Sequence, residues 1–212
     1  KLYDVIRIDH FRGFESYWKV PYGETTAKNG KWVKGPGKAL VGVLKDFKGM
    51  EIIAEDLGYP SKEVANLLEF SGFPGMKLLE CAFESDSTNP FLPHNYSAKC
   101  VCYNGTHDNH SVMGWVETAP ENHIQFALRY FGIEDRGDML NTMIRYGMAS
   151  VADLYIVQFQ DWLGLGKEAT INTPGTLGNN WVWRAPAGSF DKKLAEKIAA
   201  LTEIYGRKNN NG

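Results

Sequence analysis

The sequence predicts an α/β fold with a parallel sheet, on the strength of two regularities. Short apolar, β-branched runs alternate with helix-spaced segments, the pattern of strands joined by right-handed helical crossovers. The runs also end near acids: Asp9, Glu55 and Glu84 follow three of them, Asp161 follows the last, and the fourth reaches Asp108 through a short turn. Carboxylates at strand C-terminal ends suit a β/α barrel, whose sites are built from the loops at that end. Five such runs do not close an eight-stranded barrel. The expectation is therefore the C-terminal five or so units of a (β/α)8 TIM barrel, with three further units expected upstream. Residues 1–205 are expected to form that portion, and 206–212 a flexible polar tail.

In chain order, Val5, Ile6 and Ile8 form the first run, interrupted by Arg7 and stopped at Asp9, with His10 and Arg12 behind. Charges are costly to bury unpaired, so a strand ending this way opens into a polar cleft. A glycine-punctuated segment, Gly13–Gly37, reads as a long loop carrying Tyr17, Trp18, Tyr22 and Trp32. Lys38–Phe47 has helical spacing, and Met50–Ala54 is a second strand ending in Glu55 and Asp56. Ser61 is placed to cap a helix over Lys62–Phe70. Met76–Phe83 and Ala98–Tyr103 read as strands, Glu121–Phe131 and Arg136–Ser150 as helices, and Leu154–Phe159 as the fifth strand. A second glycine-rich loop, Gly164–Asn180, precedes Trp181–Arg184, and Phe190–Tyr205 reads as the last helix.

Composition narrows the function. The net charge is -2 with the basic residues dispersed, which argues against a nucleic-acid surface. No apolar run approaches the ~18 residues of a membrane span. Three cysteines without framework spacing fit a reducing cytoplasm. Cys100 and Cys102 alternate within a strand, so they are read as packing residues. Aromatic residues reach 13%, and aromatic faces serve both carbohydrate sites and ordinary cores.

Acids on neighbouring rim positions are the equipment of glycoside chemistry: one protonates the leaving oxygen, and another attacks the sugar or activates water. Arg7, two residues before Asp9, is placed to keep Asp9 ionised as a nucleophile. Glu55 follows an apolar strand, where desolvation favours a protonated acid. Asp108 can hold sugar hydroxyls and, with His107, help distort the ring. His107, Asp108 and His110 are also close enough in sequence to be weighed as metal ligands. No other histidine lies nearby in sequence, and no metal is expected.

Several motifs in order carry a resemblance: V-I-R-I-D-H-F-R-G-F from Val5, I-I-A-E-D-L-G from Ile52, L-P-H-N-Y from Leu92, G-T-H-D-N from Gly105 and N-T-P-G-T-L-G-N-N-W-V-W-R from Asn172. From Tyr3 to about Arg184 the chain resembles the C-terminal half of the 4-alpha-glucanotransferases, the amylomaltases or disproportionating enzymes of glycoside hydrolase family 77. The resemblance implies a retaining transferase that passes α-1,4-glucan segments between maltodextrin, starch or glycogen chains through a covalent glucosyl-enzyme. It implies Asp9 as nucleophile, Glu55 as general acid/base and Asp108 as transition-state stabiliser. Arg7 and His107 match substrate-binding positions, Glu84 stands at a further one, and the loop holding Asn172 and Pro174 shapes the acceptor side. No metal or organic cofactor is implied, and neither nucleic acid nor membrane is a partner. The N-terminal half of the family's barrel is the one protein partner the resemblance suggests. The sequence departs from the family pattern at His110 and Glu84, where aspartate is usual, and at Thr170, where arginine is usual. Two alternatives stand beside this reading: an incomplete, non-catalytic barrel fragment, and a hydrolase of the α-amylase type.

Overall fold

Each of the five apolar runs forms a strand in the computed structural model, which describes residues 2–59 and 61–208. The fold is mixed α/β and divides into two units, Lys1–Met76 and Lys77–Gly212.

In the first unit, β1 (Val5–Ile8) pairs in parallel with β4 (Glu51–Ala54), Arg7 opposite Ile53 and Ile8 opposite Ala54. β4 is buried from Ile52 onward, as a parallel strand covered on both faces must be. Helices α2 (Gly37–Lys45) and α3 (Lys62–Ser71) follow the two strands. The Ser61 hydroxyl accepts the Val64 N–H at 3.2 Å, so α3 starts at the cap its sequence predicts. One apolar residue from each element closes a small core: Phe11 after β1, Val41 of α2, Ala54 of β4 and Leu67 of α3. Phe14 and Phe73 pack edge-on against Phe11. Burying a ring of this size contributes roughly 1.5–3 kcal/mol.

The segment expected to be a long loop is more ordered than that. It opens with a single helical turn, α1 (Arg12–Glu15), and then forms an antiparallel hairpin of β2 (Ser16–Lys19) and β3 (Lys31–Lys34). Trp18 stands opposite Trp32 with ring centres 5.4 Å apart, its indole N–H donates to Ala27 O, and the Arg12 guanidinium lies over Trp32. These cross-strand contacts are long-range in sequence, and strands of four residues leave too little alternation to announce them. Trp18 and Trp32 therefore hold the hairpin together, while Tyr22 is fully exposed.

Strand β5 (Gly75–Leu78) carries the chain into the second unit, whose sheet has the order β5, β6 (Cys100–Tyr103), β7 (Leu154–Ile156). β6 and β7 run parallel, and central β6 is buried along its whole length. Around them lie α4 (Val112–Thr118), α5 (Glu121–Phe131), α6 (Met139–Ala149), α7 (Phe159–Trp162) and α8 (Lys192–Ile204). Phe83 is the hub of the core, with the rings of Trp115, Phe126, Tyr130 and Phe131 all within 6 Å of its own.

The expected third strand, Met76–Phe83, ends early. After Leu78 the backbone winds into a 3-10 turn over Leu79–Phe83. Leu79, Ala82 and Phe83 are the apolar residues it buries. That spacing of three and four is helical, and it outweighs the β-forming character of the run. The fifth strand likewise stops at Ile156, since Phe159 opens α7. Helix α4, absent from the sequence reading, starts at Ser111, whose hydroxyl accepts the Gly114 N–H. Of the expected polar tail, 209–212 lie outside the described residues. Arg207 is held: its guanidinium donates to Met148 O, Ser150 O and Ala152 O at the C-terminal end of α6, where a cation meets the unpaired carbonyls of the helix. Among the described residues, no helix is long and apolar enough to cross a membrane.

Candidate active site

The structure gathers the sequence-predicted residues into two groups, one in each unit. In the first, Arg7, Asp9 and Glu55 meet at the ends of β1 and β4. Arg7 Nη2 lies 2.9 Å from Asp9 Oδ1, and Arg7 Nε donates to the Met76 sulfur at 3.3 Å. The arginine is thus anchored at one edge and holds Asp9 with the other. The Asp9 side chain keeps 69% of its surface exposed, so the pair orients the carboxylate without covering it.

Glu55 is 9% exposed, and both of its carboxylate oxygens are used. Oε2 accepts the His10 N–H at 2.7 Å, and Oε1 accepts the Leu57 N–H at 2.8 Å. The backbone interlocks as well, with Glu55 N donating to Ile8 O and Phe11 N donating to Glu55 O, each at 2.9 Å. His10 makes this possible by adopting φ 48°, a left-handed conformation uncommon outside glycine. Its turn aims the N–H after Asp9 directly into the Glu55 carboxylate. One backbone group therefore couples the two acids.

In the second unit, Asp108 sits on the loop after β6. Thr106 N–H and hydroxyl both donate to Asn109 Oδ1, and the Thr106 hydroxyl accepts the Asp108 N–H at 3.3 Å. Asn172 Nδ2 donates to Asp108 Oδ1, and His107 Nε2 lies 3.5 Å from the same oxygen. Asn172 N–H also donates to His107 O, and the Trp181 ring packs on the His107 imidazole at 5.1 Å. The Asn172 loop is thereby fastened to the Asp108 loop by backbone, side chain and ring.

Pro174 and Glu84 are placed differently. Pro174 is exposed and occupies the second position of a turn over Thr173–Thr176, with Gly175 at φ 77°, the arrangement a type II turn requires. Glu84 is exposed at the end of the 3-10 turn rather than at a strand end. There it adds to the burial that pushes the Cys81 thiol up to about 12.

Two of the departures from the family pattern are a contacting pair. His110 Nδ1 lies 2.6 Å from the Thr170 hydroxyl, which donates onward to Lys167 O at 2.7 Å. Since that hydroxyl has one proton to give, His110 Nδ1 carries the hydrogen between them. Among the described residues, no cluster of three or more His, Cys, Asp or Glu is placed to hold a metal ion.

The sequence reading passed over Asn104 and Glu80. Asn104 is buried beside the Asp108 loop, donates to Asp161 Oδ2 at 2.9 Å and accepts the Tyr155 hydroxyl at 2.6 Å. Glu80, on the turn after β5, is 4% exposed. Its signal was the helical spacing of L-L-E-C-A-F, which turns the glutamate inward where a strand reading put the weight on Glu84.

Residues 1–189 match the family model described as 4-alpha-glucanotransferase. The chain is 52% identical over 209 residues to the 4-alpha-glucanotransferase of Clostridium butyricum, covering 98% of this chain and 43% of that protein. It is 41% identical over 215 residues to the Thermus thermophilus 4-alpha-glucanotransferase, covering 98% of this chain and 43% of that one. Among solved structures, the amylomaltase from Streptococcus agalactiae in complex with acarbose superposes with a TM-score of 0.90 at 35% identity, covering 98% of this chain and 42% of the other. The chain thus spans about two-fifths of the length of the relatives it matches. By the extent of these matches, it belongs to the 4-alpha-glucanotransferase family, glycoside hydrolase family 77.

Proposed function

We propose that this chain supplies the catalytic acids of a 4-alpha-glucanotransferase acting on α-1,4-glucans, and that residues 1–205 are a portion of the family's β/α barrel. The observation that carries the reading is the coupling of Asp9 to Glu55 through the His10 N–H. An exposed, arginine-oriented carboxylate suits a nucleophile, and a buried carboxyl bound to the same turn suits its acid/base partner.

In the first step, an Asp9 oxygen attacks the anomeric carbon while Glu55 passes a proton to the departing 4-oxygen. In the second, the 4-hydroxyl of an acceptor glucan gives its proton to Glu55 and displaces Asp9, so the configuration is retained. Asp108, ordered by Asn172 and His107, offsets the positive charge that develops on the ring. The double displacement calls for no cofactor. Three free cysteines support a reducing, cytoplasmic setting. Donor and acceptor are maltodextrin, starch or glycogen chains, and the family's N-terminal barrel half is the protein partner this reading includes.

The test is product analysis of the full-length protein supplied with maltotriose. Transfer yields glucose together with a ladder of glucans longer than the substrate. Glucose and maltose alone, with no longer chain at any time, would place the protein among hydrolases instead.

A further inference from the structure

The loop that presents His107 and Asp108 rests on a carboxyl group that the proposed chemistry does not use. Glu80 is almost completely buried, and its Oε1 has no hydrogen-bond partner. Its N–H donates to Asn104 O at 3.1 Å. Oε1 also lies so close to Gly105 that a Cβ at that position would stand 2.7 Å from it. Glycine lets the backbone of the loop sit directly on the carboxyl.

Asp161 of α7 is the second buried acid here, 1% exposed. Its Oδ1 accepts the Val112 N–H at 2.7 Å, and its Oδ2 accepts from Asn104. Two neighbouring buried carboxylates cannot both ionise cheaply. The donors converge on Asp161, so the charge belongs there and the proton belongs on Glu80. Burial first, and the Asp161 charge second, raise the Glu80 carboxyl well above its ordinary 4.5. The other titratable groups around the pair are Cys81 on the same turn and Tyr155 from β7. Burial pushes both of them up as well, so neither brings a compensating charge.

We propose that Glu80, carrying its proton, is a positioning residue for the loop Asn104–His110, and that loss of this proton unseats Asp108. Ionisation sets two carboxylates against each other, and among the described residues no cation forms an ion pair with either. The neighbour that gives way is the loop backbone at Gly105, which meets Oε1 directly, because Asp161 is tied to the Val112 N–H of α4. An acid whose value is raised by folding stabilises the fold fully below about pH 4.5, and that stabilisation is lost as pH rises through the raised value. The kinetic part of the test rests on the role proposed for Asp108; the other parts do not.

The test compares the full-length protein with its Glu80→Gln variant, whose amide copies the shape of the protonated acid. From about pH 5 to 9, the wild-type melting temperature is expected to fall more steeply than the variant's, the two curves converging at the acid end. The alkaline limb of kcat is expected to move upward by about one pH unit or more in the variant. With carboxyl-labelled glutamate, the resonance missing from Glu80→Gln is expected to remain that of a protonated acid at pH 7 in the wild type. A Glu80 resonance that titrates near 4.5, or melting curves that stay parallel across the range, would overturn the proposal. A protein without transfer activity would sink the proposed function yet leave the melting and resonance results to decide this one.

Discussion

Replacing Asp9 by asparagine in the full-length protein is expected to lower kcat for glucan transfer by about a thousandfold or more, with little change in stability. The amide cannot form the glycosyl ester, and the loss of a covalent route is among the largest single effects in enzyme variants. Stability is expected to hold because Asp9 is mostly exposed and its bond to Arg7 is an ion pair at the surface. Such pairs contribute about 0–1 kcal/mol. Turnover of maltotriose and a thermal melt read the two quantities separately. A variant that melts normally and turns over within tenfold of wild type would remove Asp9 from the nucleophile's role.

Glu55→Gln is expected to fail in both respects. In its proposed role as acid/base, the carboxyl is worth roughly 10²–10⁴ in rate. As a structural group, it receives a backbone N–H on each oxygen. Glutamine offers one oxygen and one amino group, so one of the two N–H donors must face another donor. Leaving such a group unpaired costs ~1–3 kcal/mol, or a melting shift of about 2–4 °C for each kcal/mol in a cooperative unit of about 150–250 residues. The two losses separate by choice of donor. An α-glucosyl fluoride needs no proton on its leaving group, so the first step is expected to recover with it while melting stays depressed. Equal rate losses with fluoride and glucan donors would show that the variant is merely distorted.

The strands that end at Asp9 and Glu55 are legible in the sequence, and the backbone around those acids is not. Val5–Asp9 and Ile52–Glu55 are apolar runs stopped by charge, a pattern that burial alone explains, and the strands formed where they were expected. The hairpin was missed because its evidence is a pairing between Trp18 and Trp32 across a long connection, and pairing has no local periodicity. Glu84 draws the weight in the sequence as the acid at the end of an expected strand over Met76–Phe83, whereas the turn over Leu79–Phe83 leaves Glu84 exposed and buries Glu80, three residues before Phe83. The His10 N–H that couples the two acids was out of reach for a different reason. Its direction depends on a left-handed backbone at a residue whose letter does not demand one. The contact between His110 and Thr170 joins positions far apart in the chain, so their shared departure from the family pattern reads as two separate oddities until the fold brings them together.

The nucleophile can be caught directly. A fluorine-substituted α-glucosyl fluoride forms the glycosyl-enzyme readily and releases it slowly, so peptide mass spectrometry of the treated full-length protein locates the bond. One glucosyl mass on the peptide containing Asp9, lost on adding a maltodextrin acceptor, is the predicted result. A label on Glu55 or Asp108, or no label in a protein that still transfers glucan, would contradict it.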